Sequence, residues 1–180
     1  MIDEGYWKSL ALGLLEGLDT RIGHVERVAS QATLVAEAVF ADQRDRDLLV
    51  SAAWVHDIGY SKKVAITGFH HLDGALYLAS IGELRLACLV AHHSSGTEEA
   101  RARGLSDELT AFPFKAGLMS DCLSYCDMSI GPTGKSVGLK DRIADVVDRY
   151  GLDSPVAQGL QQAYPRLKTS FDNVERLMIR

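Results

Sequence analysis

Residues 49–60 read Leu-Val-Ser-Ala-Ala-Trp-Val-His-Asp-Ile-Gly-Tyr, and their spacing decides the fold class. Leu49, Ala52, Ala53 and His56 recur three and four positions apart, which lines them along one side of an α-helix. An imidazole that ends an apolar stripe faces the interior, and Asp57 lies about 100° further round the same helix, close enough to share an ion with it. Upstream, Val25, Val28, Ala29, Ala32, Val35, Ala36 and Val39 repeat the pattern, and His24 opens that stripe. The same period predicts further helices over 9–18, 71–80, 83–92, 114–127, 139–150 and 155–178. Tyr60 to Phe69 reads as a connector between Gly59 and Gly68. No alternating strand, repeat or low-complexity tract interrupts these helices, so the expectation is all-α.

The chain has 180 residues, 47% hydrophobic and 24% charged, with only four prolines. This is enough to bury one sizeable core, and it predicts one domain over 1–180 with a helical extension from 151 to 180. A net charge of −5 argues against a broad nucleic-acid surface. No apolar run has membrane-spanning length, and Asp3 and Glu4 stand where a secretory leader would be basic, so a cytoplasmic protein is expected. Cys88, Cys122 and Cys126 are an odd set without CxxC spacing, which reads as free, buried thiols in a reducing compartment.

The chemistry sits in the six histidines: His24, His56, the pair His70-His71 and the pair His92-His93. His92 follows Cys88 by four and Leu84 by eight, on an apolar face near a helix end. Asp127 follows Leu123 and Met119 in the same way, and Asp121 competes with it because its spacing also suits an inward face. A lone buried histidine is most simply a hydrogen-bonded core residue. Several of them aimed inward from separate helices are more simply explained by one bound cation, since each would otherwise need its own partner. Imidazole and carboxylate donors suit iron, manganese, zinc and other divalent ions.

This ordered set resembles the HD superfamily of metal-dependent phosphohydrolases, whose signature is a histidine, a His-Asp pair and a distant aspartate. Here they are His24, His56-Asp57 and Asp127, and the resemblance covers roughly residues 20–150. It is supported by Thr-Gly-Phe-His-His-Leu-Asp-Gly-Ala and Val-Ala-His-His-Ser-Ser-Gly. The resemblance implies an HD-domain helical bundle and selects Asp127 over Asp121. It further implies a site for two divalent ions (Fe, Mn, Zn, Ni or Mg), held by His24, His56, Asp57, His70, His92, His93 and Asp127. Asp57 would bridge the ions and be the catalytic carboxylate. His70 fits because His70 and Gly74 match a His-x-x-x-Gly element, while His71 is expected outside the ligand set.

The chain departs from the relatives that cleave cyclic dinucleotides: it lacks their Gly-Tyr-Pro element, and Tyr60 stands where a lysine usually follows His-Asp. Gly131-Pro-Thr-Gly-Lys-Ser136 looks like part of a phosphate-binding loop, but the motif needs glycine at position 129, which is Ser129, and a strand leading in. Lys62, Lys135 and Arg142 remain candidate contacts for a small anionic, phosphorylated substrate, with solvated surface positions the plain alternative. The expected activity is hydrolysis of a small phosphate ester or nucleotide by metal-activated water. The alternatives are a di-iron oxygenase built on the same ligands, and a non-catalytic metal- or nucleotide-binding regulatory module. Oligomeric state is not legible in the sequence.

Overall fold

The stripe that begins at His24 becomes the buried side of α2 (Asp19–Val39), and it lies against α3 (Gln43–Val55), which is buried continuously from Leu48 to Val55. α3 is therefore the axis of the molecule. Asp42 starts it by accepting the Arg44 N–H, as an N-cap aspartate does. α1 (Glu4–Leu14) packs on α3 through Trp7 and Ala11. After α3, a 3₁₀ turn (Ile58–Tyr60) leads through an irregular segment to α4 (His70–Ser80), which pairs with α5 (Leu84–His92). Asp73 is fully buried and accepts from the Thr67 N–H, the Thr67 hydroxyl and the Gly68 N–H, fixing how the chain enters α4. α6 (Gly96–Arg103) and the short α7 (Ser106–Leu109) follow. α8 (Leu118–Met128) then returns across α2 and α3, before α9 (Leu139–Tyr150) and α10 (Pro155–Met178).

The structure, a computed structural model, describes residues 4–131 and 134–179. Outside these lie Asp3 of the acidic start and the Pro132-Thr133 part of the glycine-lysine stretch. Among the described residues the protein is all-α, with one isolated antiparallel bridge between Ile130 and Ser136, and no helix is long and apolar enough to cross a membrane.

The main core runs from α1 through α5 and α8, and a second cluster joins Met128, Leu139, Val146, Leu160, Ala163, Leu167 and Phe171 beneath α9 and α10. α10 also lies on α6, where Gly159 meets the Glu99 backbone and Arg166 pairs with Glu98 at 2.8 Å.

Three expectations about the helices change. The first helix begins at Glu4 and ends at Leu14 rather than spanning 9–18, with Gly17 in the left-handed region (φ 82°) turning the chain into α2. The helix expected from Phe114 begins at Leu118. Residues 96–109 form α6 and α7, which periodicity did not indicate, because α6 buries only Gly96, Glu99 and Ala100 and has no apolar stripe to read. Tertiary contact with α10 holds it. All three cysteines are free, with Cys122 and Cys126 buried and Cys88 only half-buried.

Candidate metal centre

Five helices bring their ends to one place. His24 comes from the first turns of α2, and His56 and Asp57 from the end of α3. His70 and His71 open α4, His93 follows α5, and Asp127 closes α8. Helix ends suit this task because their outermost backbone groups are free to orient side chains. The His56 Nδ1–H donates to the Ala53 carbonyl at 2.7 Å, and the His93 Nδ1–H donates to the Val90 carbonyl at 2.7 Å. A carbonyl only accepts, so in each ring Nδ1 carries a proton and Nε2 is the nitrogen turned toward the other donors.

Asp57 lies between two groups of rings. Its Oδ2 is 3.5 Å from His56 Nε2 and 3.9 Å from His24 Nε2, while its Oδ1 is 3.5 Å from His70 Nε2. Asp127 Oδ1 accepts from His24 Nε2 at 3.0 Å and lies 3.8 Å from His56 Nε2. The donors form three overlapping triplets: His24, His56 and Asp57; His56, His93 and Asp127; His70, His71 and His93. Within each triplet the donor atoms lie no more than 4.8 Å apart. His56 and His93 each belong to two triplets, so the set is continuous.

The unpaired atoms test whether an ion fits. His24 Nδ1, His56 Nε2 and both ring nitrogens of His71 are buried without a hydrogen-bond partner. Each such atom costs about 1–3 kcal/mol while it stays unsatisfied, and a cation among the triplets would partner His56 Nε2 and one nitrogen of His71.

Charge states point the same way. Burial holds His70, His71 and His93 below the ordinary imidazole value, so they are neutral near pH 7. Burial would raise the Asp57 carboxyl, but the Arg21 guanidinium, 2.6 Å away, and the surrounding His56, His70 and His24 rings together outweigh it and hold the carboxyl well below the usual range. Burial acts likewise on Asp127, and there the hydrogen bond from His24 together with the charges of His56, His24 and His93 outweighs it. Neutral imidazoles and ionised carboxylates are the forms that bind metal.

The family model described as HD domain matches residues 21–152, well over half of the chain. The chain belongs to the HD domain family. No curated protein and no solved structure matches it. HD domains are helical and bind divalent metals, and in this one the buried His/Asp cluster fits such an ion.

Of the ligands expected for this HD domain, the fold brings together His24, His56, Asp57, His70, His93 and Asp127, and it exchanges His92 for His71. His92 is turned away: Nδ1 pairs with the Thr97 hydroxyl at 2.9 Å, Nε2 pairs with the Phe112 carbonyl at 2.5 Å, and the ring meets Phe114. The bonds to Thr97 and Phe112 hold His92 out of the cluster, so of this pair only His93 faces it. His71 instead stacks on His93, with ring centres 4.2 Å apart. Asp121 accepts from Ser170 at 2.7 Å and serves the contact between α8 and α10.

Among the expected substrate contacts, Lys62 and Lys135 are exposed and line neither the donor cluster nor the crevice beside it, whereas Arg142 is buried in that crevice's wall.

Two residues of this HD-domain centre had no sequence-level role. Arg21 sits one turn before His24, but an arginine near a helix start is ordinarily solvated, so nothing marked it. Ser94 donates its hydroxyl to Asp127 Oδ2 and its N–H to the Ser124 hydroxyl oxygen at 3.0 Å, and its carbonyl accepts from Arg166 Nη2 at 2.7 Å. Its φ of 50° is unusual outside glycine, and these three bonds hold it there. Its position directly after His92-His93 was the available signal.

Proposed function

We propose that this HD domain hydrolyses a small phosphate ester or nucleotide at a centre for two divalent ions. The observation that carries the reading is Asp57, whose two carboxylate oxygens face different histidines, Oδ2 toward His24 and His56 and Oδ1 toward His70. A carboxylate so placed suits the space between two ions. The neighbouring triplets, His56 with His93 and Asp127 and His70 with His71 and His93, share His93 and would hold the ions together with Asp57. Bound there, divalent ions supply an activated water at neutral pH and neutralise phosphoryl oxygens.

The chain's own residues then do the positioning. Ala53 and Val90 fix the His56 and His93 rings through their carbonyls, Ser94 fixes Asp127, and Arg21 fixes Asp57. Burial of Asp57 and Asp127 excludes bulk water from the donors, which strengthens every electrostatic contact among them.

The test is phosphate release from a panel of monoesters and nucleotides after reconstitution with iron, manganese, zinc, nickel or magnesium. The reading expects turnover that a chelator abolishes and metal restores. A metal-loaded protein that releases no phosphate but consumes dioxygen when iron-loaded would replace it with C–H oxidation. One that does neither would make it a binding module.

A further inference from the structure

Beside the donor cluster, Arg21, His24, Tyr60, Arg142, Arg149 and Tyr150 wall a crevice of about 80 Å³ between the start of α2 and the length of α9. Three guanidiniums around so small a space require an explanation. Arg142 is only 8% exposed, and its Nε is buried without a partner. Its Nη1 donates to Asp145 Oδ2 at 3.2 Å. Arg149 Nε and Nη2 reach the same oxygen at 3.1 and 2.7 Å. One half-exposed carboxylate thus answers two guanidiniums. Arg21 gives Nη1 to Asp57 and lies with its guanidinium carbon 3.9 Å from the centre of the Tyr60 ring. Three guanidiniums thus share two hydrogen-bonded carboxylates, Asp57 and Asp145, and a buried N–H donor with no acceptor is destabilising unless something in the crevice accepts from it.

We propose that this crevice holds the phosphoryl group of a phosphate monoester, with Arg142, Arg149 and Arg21 as its donors and His24 joining it to the donor cluster. The inference rests on the phosphohydrolase reading and names its substrate class. Planar guanidiniums match a tetrahedral oxyanion by paired hydrogen bonds, which a lysine ammonium does not. The volume suits a terminal dianionic phosphoryl head and not a nucleoside. The rest of the substrate therefore lies at the mouth, where Tyr60 and Tyr150 are 37% and 47% exposed. A phosphodiester, substituted on both sides, fits poorly.

The experiment is calorimetric titration of inorganic phosphate into metal-loaded wild-type, Arg142→Gln and Arg149→Gln proteins, with metal content measured on the same samples. Arg149 is half-exposed and makes contacts within its own helix, so Arg149→Gln keeps the fold even if Arg142→Gln does not. The expected result is phosphate binding to wild type that weakens about tenfold or more in each folded variant, at unchanged metal content. Phosphate affinity equal to wild type in the folded variants, or no phosphate binding to wild type, overturns the proposal.

The two readings fail separately. Arginine-dependent phosphate binding in a protein that hydrolyses no ester keeps the subsite and removes the hydrolase. Ester hydrolysis with an unchanged KM in Arg149→Gln, together with arginine-independent phosphate binding, does the reverse.

Discussion

Replacing Gly59 with alanine tests whether the close approach of the 3₁₀ turn to α4 builds the centre. A Cβ at Gly59 would stand 2.0 Å from the His70 carbonyl oxygen, 2.7 Å from its carbon and 2.8 Å from the Gly74 nitrogen. All three are backbone atoms, so no side chain can swing aside. The turn and α4 must separate by about 1 Å, an overpacking that costs about 1–3 kcal/mol. For a chain of this size that lowers the melting temperature by about 2–12 °C. The separation also acts on chemistry, because the turn follows Asp57 directly and α4 opens with His70, whose Nε2 is 3.5 Å from Asp57 Oδ1. The assay is thermal unfolding followed by circular dichroism, on chelator-stripped and on metal-reconstituted protein. Gly59→Ala should melt lower when stripped and gain less from added metal than wild type does, since stabilisation by a ligand follows its affinity for the folded state. A variant that melts and binds metal as wild type does would refute the reasoning.

Asp57→Asn preserves shape and removes the charge between the histidine groups, so metal retention and turnover should fall together; elemental analysis beside an activity assay checks this. His93→Ala should lower metal content whereas His92→Gln should leave it unchanged, because only His93 faces the donors; equal losses in both would contradict the placement of His92. Burial pushes the Cys122 thiol up to about 12, so at pH 8 it is protonated and unreactive, while half-buried Cys88 is open to reagent. Mass spectrometry after brief iodoacetamide treatment should therefore find Cys88 modified first, with Cys122 and Cys126 modified only on unfolding.

The parts of this protein that sequence makes legible are those with a period. The α2 stripe from Val25 to Ala36 and the α3 stripe ending at His56 are both buried as their spacing requires. α6 was invisible because its sequence, Gly-Thr-Glu-Glu-Ala-Arg-Ala-Arg, is polar all round, and what holds it is α10, distant along the chain. Periodicity also places His92 on an apolar face, and its ring is indeed largely buried. The face it meets belongs to Phe112 and Phe114 rather than to the other histidines. Helical spacing says that a residue points inward without saying which neighbour it meets. The roles of Arg21 and Ser94 depend on contacts 36 and 33 residues away along the chain, which no local pattern records.

The most direct measurement is elemental metal content per chain, on protein purified without added metal or chelator. The account predicts close to two divalent ions per chain, lost in Asp57→Asn. Finding no ion, even after anaerobic reconstitution with iron, manganese and zinc, would contradict it and leave the buried histidines as structural residues.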